Sequence, residues 1–177
     1  AYKPVKIVDT FQMLGEVDRD LADAMGVDCI GVGGTRDIFD HDTECMHEQV
    51  TPWGQKVLVP IQLDLTQDKE GDVYVYAGGD KNYPPSAVMP NGCFFINAIE
   101  RQQPIDEDKL NPMDNLEEFN SITDEELDAC KKKVNEASAT GRAVVASFGG
   151  TALGDVAFVP GMGLKERKGI RSVGEWY

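Results

Sequence analysis

Positive charge is scarce in this chain. Seventeen Lys and Arg face 31 Asp and Glu, for a net charge of −14. A nucleic-acid partner is excluded on that ground, because phosphates demand a basic face. Arginine is rarer still: Arg19, Arg36, Arg101, Arg142, Arg167 and Arg171 are the full set. A strongly anionic substrate is therefore disfavoured unless the arginines converge on one site. Cysteine is sparse and scattered. Cys29, Cys45, Cys93 and Cys130 form no close pair, which argues against a disulfide framework and a CxxC metal knuckle and fits reduced thiols in a cytoplasm. No apolar run reaches the roughly 18 residues of a membrane span, and no signal peptide is visible. Histidine occurs twice, in His41-Asp42-Thr43-Glu44-Cys45-Met46-His47. Zinc favours such donors, but finger spacing and a second cluster are missing, so the segment reads as a solvated polar loop without metal.

The residues that are present alternate between α and β patterns. Residues 5–10 predict a strand and residues 16–25 an amphipathic helix with Val17, Leu21, Ala24 and Met25 on one face. Gly26 follows as the stop, and residues 27–32 predict a second strand. This spacing reads as a βαβ unit with parallel strands. Residues 35–55 read as irregular. Residues 50–100 read as a β-rich insertion, in which residues 56–77 are expected to form an antiparallel hairpin outside the parallel set, with 61–65 opposing 73–76 across the turn at 68–72. Residues 92–96 are a further strand candidate, and 102–120 read as loop. Thr123-Asp124-Glu125-Glu126 is a capping box. The helix after it is expected to bury Leu127, Cys130, Val134 and Ala137. Residues 143–148 form the most apolar strand, as expected for a parallel strand covered on both faces. Three such strands suggest part of a (β/α)8 barrel or of a doubly wound sheet.

Ala1 is not an initiator methionine, and Ile170, Val173 and Trp176 fall at helical spacing at the other end. The expectation is that the chain is a piece of a longer polypeptide.

Ordered short motifs carry a resemblance. Phe11-Gln12-Met13-Leu14-Gly15-Glu16-Val17 is followed by Leu21-Ala22-Asp23-Ala24-Met25-Gly26-Val27-Asp28, Pro52-Trp53-Gly54 and Pro84-Pro85-Ser86. Ile99-Glu100-Arg101-Gln102, Pro104-Ile105-Asp106-Glu107-Asp108, Phe148-Gly149-Gly150-Thr151 and residues 169–177 continue the series. Together they resemble the uroporphyrinogen decarboxylase superfamily, and within it the bacterial members that group with corrinoid-dependent methyltransferases. The resemblance implies an α/β fold: residues 1–177 as part of one TIM barrel, a partial (β/α)8 barrel with an antiparallel β-rich insertion at about 50–100. Chemistry in such barrels sits at the C-terminal ends of strands. Gln12 and Met13, Arg36, Phe148 and Thr151 are therefore the expected substrate-binding residues, and the catalytic residues stay unassigned.

The resemblance further implies methyl transfer between a small methylated substrate and a corrinoid carrier protein. Zinc and corrinoid belong to the longer family members, neither being bound by these 177 residues, which alone are expected to be inactive. The partners implied are the remainder of the barrel, the corrinoid carrier and a small-molecule substrate, with self-association and no membrane. Uroporphyrinogen decarboxylation is the alternative. The arginine-rich loop that grips porphyrinogen carboxylates in the true decarboxylases has no counterpart here. A non-catalytic binding or assembly module is the third reading.

Overall fold

The computed structural model describes residues 3–119, 121–148 and 160–176. Three small sheets carry the fold. The first has the order β2-β1-β5-β4, the second pairs β3 with β9, and the third has the order β6-β7-β8. In chain order the elements are β1 Val5–Asp9, β2 Leu14–Gly15, α1 Arg19–Ala24, β3 Cys29–Gly33, β4 Met46–Val50 and β5 Lys56–Pro60. Then come β6 Val73–Val75, β7 Ala87–Met89, β8 Asn97–Ala98, α2 Asp124–Ser138, β9 Ala143–Ser147 and α3 Val173–Trp176. The expected partial (β/α)8 barrel is not formed. Among the described residues strands predominate, the helices are few and short, and no sheet closes.

The βαβ expectation fails at its helix. A crossover is held by a helix that packs back onto both strands. In α1 only Ala22 is buried, while Leu21 and the flanking Val17 and Met25 are exposed. With no helix clamped across them, β1 and β3 lie in different sheets. The parallel partner of β1 is β5, in the register Val5↔Val57 and Lys6↔Leu58. That of β3 is β9, from Cys29↔Ala143 to Gly33↔Ser147.

The hairpin expected across 61–76 is also absent. Both edges of β5 are already taken, by β1 in parallel and by β4 antiparallel. Residues 61–65 instead run as a loop stitched down by a β4 side chain. The Gln49 carboxamide donates to the Leu63 carbonyl and accepts from the Leu65 amide, each at 2.8 Å. It does the work of a neighbouring strand, and Leu63 and Leu65 are buried as a result. β6 pairs with β7, and a 3-10 turn, Ala77–Gly79, follows it. The turn needs glycine: Gly79 has φ +72, and a Cβ there would come 2.8 Å from the Gln62 carbonyl oxygen. Residues 92–96 are not a strand. Phe94 and Phe95 are exposed, and Phe94 meets Trp53 edge-on at 5.1 Å.

One apolar core lies between the first and third sheets. It contains Ile7, Val57 and Val59 from one side and Val73, Val75 and Met89 from the other, with Phe39, Leu63, Ile96 and Met162 filling from loops. The capping box of α2 forms as read. The Thr123 hydroxyl accepts from the Glu126 amide at 3.2 Å, and the Glu126 carboxylate accepts from the Thr123 amide at 2.9 Å. α2 buries Cys130 and Ala137 against the β3–β9 pair, but Leu127 stays exposed. β9 is covered on one face only, since Val145 is 61% exposed. Residues 102–119 are loop with two 3-10 turns, Glu107–Lys109 and Pro112–Leu116.

Candidate functional site

Asp37 organises the region where the first two parallel strands end. It lies four residues past β3 in a loop that folds back on itself. The Asp37 amide donates to the His41 carbonyl at 3.0 Å. Its Oδ1 accepts the amides of Phe39 and His41 at 2.9 and 2.8 Å. This is the turn chemistry that aspartate supports well, a side chain standing in for a backbone acceptor. Asp37 Oδ2 accepts the Thr10 hydroxyl at 2.7 Å, just beyond β1. His41, fully buried, brings Nδ1 to 3.2 Å from the same oxygen, while its Nε2 lies 2.9 Å from the Tyr76 carbonyl. The Nδ1 approach is too bent for a good hydrogen bond. Phe39 packs between Phe11 and His41, with ring centroids 6.3 and 5.7 Å away.

Burial pushes the Asp37 carboxyl up. The close approach and charge of the His41 ring, with the Thr10 hydroxyl and the His41 amide, outweigh that and hold it below the usual carboxylate range. A carboxylate saturated in this way positions a loop. Its three accepted bonds and the His41 ring beside Oδ2 enclose it.

The expected site residues distribute around this hub. Gln12 is exposed on the turn after β1, its amide held by the Asp9 carboxylate at 2.9 Å. Met13, with φ +54, packs against the core. Arg36 is exposed and lies 3.0 Å from the Asp40 carbonyl and 3.4 Å from its carboxylate. Phe148 is 44% exposed, and the Gly33↔Ser147 pairing sets it beside the end of β3. Thr151 lies outside the described residues. The ends of β1, β3 and β9 are thus gathered, through Thr10–Asp37 and through the β3–β9 register.

Lys133 joins this region without a signal in the sequence. It reaches from α2 to the Gly34 carbonyl at 2.8 Å and to Glu44 at 2.6 Å. As the third of three consecutive lysines it looks like solvated helix surface. The 41–47 segment corrects a different expectation: His41 is core rather than solvated loop, while Cys45 is exposed and His47 lies 3.2 Å from the Leu63 carbonyl. Among the described residues no group of three or more His, Cys, Asp or Glu is arranged to hold a metal ion.

A second feature is a cluster of arginines where residues 160–172 cross residues 84–118. Arg101 donates to the carbonyls of Pro84 and Leu164 at 2.9 and 2.7 Å and to the Ser86 hydroxyl at 3.1 Å. Arg167 donates to the carbonyls of Gly161 and Ile99 at 3.0 and 3.3 Å. Arg171, buried, pairs with Glu117 at 2.8 Å and Glu118 at 2.9 Å. An open cleft of about 180 Å³, lined in part by Gln102, Asn115, Lys168 and Gly169, lies on the same strap.

No family model, curated protein or solved structure matches the chain. Function is therefore argued from these two places and from the sequence motifs. No helix among the described residues is long and apolar enough to cross a membrane.

Proposed function

We propose that the chain supplies the substrate-positioning part of a cytoplasmic enzyme that transfers a methyl group between a small methylated compound and a corrinoid carrier protein. One observation supports this siting: the 2.7 Å hydrogen bond from Thr10 to Asp37 ties the end of β1 to the loop that follows β3. Loops held in place by a rigid scaffold are where binding residues are disproportionately carried. The choice of chemistry rests on the ordered motifs that resemble the corrinoid-dependent members of the uroporphyrinogen decarboxylase superfamily. The corrinoid of the docked carrier supplies the cobalt that accepts or gives the methyl group.

This chain's residues bind and orient. Asp37 fixes the loop, and the Arg36 guanidinium, anchored beside Asp40, and the exposed Gln12 side chain orient a polar substrate. Zinc, which the resemblance also implies, has no fitting donor set among the described residues, so no step is routed through it. The test is incubation of the purified full-length protein that contains these residues with cob(I)alamin and a panel of small methyl donors. A methylcobalamin spectrum is expected, formed about tenfold more slowly in Arg36→Gln if one charge-assisted bond of roughly 1.5 kcal/mol is lost. Absence of the spectrum with every donor overturns the reading.

A second reading is favoured by the arginine cluster. Three of the six arginines come together, which restores cations of the kind a polycarboxylate requires. Formation of coproporphyrinogen from uroporphyrinogen by the protein would put decarboxylation in place of methyl transfer.

A further inference from the structure

In a chain of net charge −14, two half-buried guanidinium groups are left without a counter-charge among the described residues. Arg171 takes both nearby carboxylates, Glu117 and Glu118. Arg101 and Arg167 meet no carboxylate at ion-pair distance among the described residues, and their bonds go to neutral carbonyls and the Ser86 hydroxyl. Donors remain over. Arg101 Nε and Arg167 Nη2 are buried with no hydrogen-bond partner among the described residues.

Burial, together with the charges of Arg101 and Arg171, pulls Arg167 down to about 9, and the carboxylates of Glu118 and Glu117 do not offset this. Gathering like charges out of water is costly unless something opposes them. A fold needing only N–H donors for backbone carbonyls here has no use for a second full charge. Backbone carbonyls fix the two guanidiniums in place, which removes much of the ordering cost that a flexible receptor bears on binding. Guanidinium donors suit the oxygens of carboxylate and phosphate groups.

We propose that Arg101 and Arg167 form a binding site for one small oxyanion, a carboxylate or a phosphate group. The site does not use the Thr10–Asp37 hydrogen bond and does not depend on which reaction the protein performs.

The test is calorimetric titration of the purified protein with inorganic phosphate and, separately, with malonate. Ionic strength is held constant with chloride, and melting is followed in parallel. Saturable one-to-one binding with a rising melting temperature is expected for at least one anion, and the tighter of the two identifies the oxyanion geometry. Arg167→Gln is expected to weaken binding about tenfold or more, the loss of one charge-assisted hydrogen bond. Arg19→Gln, on the exposed side of α1, leaves binding unchanged. Arg167→Lys keeps a cation but lacks Nη2, so it tests the donor even if the glutamine variant does not fold. It too is expected to bind more weakly. No saturable binding of either anion to the wild type overturns the proposal, as does wild-type affinity in a folded Arg167 variant.

Discussion

Replacing Asp37 by alanine should be among the most damaging single changes outside the apolar core. The side chain is 6% exposed and its two oxygens accept from two backbone amides and one hydroxyl. The Thr10 hydroxyl can rotate toward another acceptor. The amides of Phe39 and His41 cannot. Leaving two buried donors unsatisfied costs about 1–3 kcal/mol each, so Asp37→Ala should lose about 2–6 kcal/mol. Asp37→Asn keeps one carbonyl oxygen for both amides, and its NH2 can face the Thr10 oxygen. It should lose only about 1–2 kcal/mol, the share of the charge-assisted part of the bonds.

Urea unfolding with unchanged m-values measures both. The pH dependence separates charge from shape. The folded carboxyl lies below its ordinary value, so its stabilisation is complete above the unfolded pKa of about 3.9 and fades as pH falls toward the lower folded value. Asp37→Asn lacks that titration, and its deficit against the wild type should therefore shrink in acid. A loss below about 1 kcal/mol in Asp37→Ala, less than one orphaned buried donor costs, would refute the view that this carboxylate organises the loop. An acid-independent deficit in the asparagine variant would refute the electrostatic part.

Two further outcomes follow from other contacts. Gln49→Ala removes the side chain that stands in for a strand beside residues 63–65. It should cost about 1–3 kcal/mol and speed hydrogen exchange at the Leu65 amide, and unchanged exchange there would refute the stitching role. The Lys81 hydrogen bond, with that of Thr66, lowers the Asp64 carboxyl to about 2. Lys81→Met should raise it toward the ordinary carboxylate range in an NMR titration, and the acid-side stability that Asp64 contributes should then be lost at higher pH. An Asp64 titration that does not move would refute the pairing.

Local chemistry was legible in the sequence where a few adjacent residues settle it. The capping box at Thr123 and Glu126 satisfies its own amides within four residues, and the strands at β1, β3, β5 and β9 follow from short apolar patterns. The β-rich character of 50–100 was legible for the same reason. Cys130 sits in the apolar face of α2 as the helical period requires. Pairing was not legible. Nothing in the pattern of residues 61–65 says that both edges of β5 are occupied, so a loop held by Gln49 reads as a strand.

The Asp37 hub was not visible. Its bond to Thr10 joins positions 27 residues apart, and His41 is drawn into the core where the Tyr76 carbonyl arrives from a distant part of the chain. The arginines make the same point. Their scarcity is a fact of composition, and it argued against an anionic ligand. Only the crossing of residues 160–172 over residues 84–118 decided that three of them meet. Short-range hydrogen bonds and periodicity depend on neighbours in the chain, whereas strand partners, buried charge and the convergence of side chains depend on which segments tertiary packing brings together.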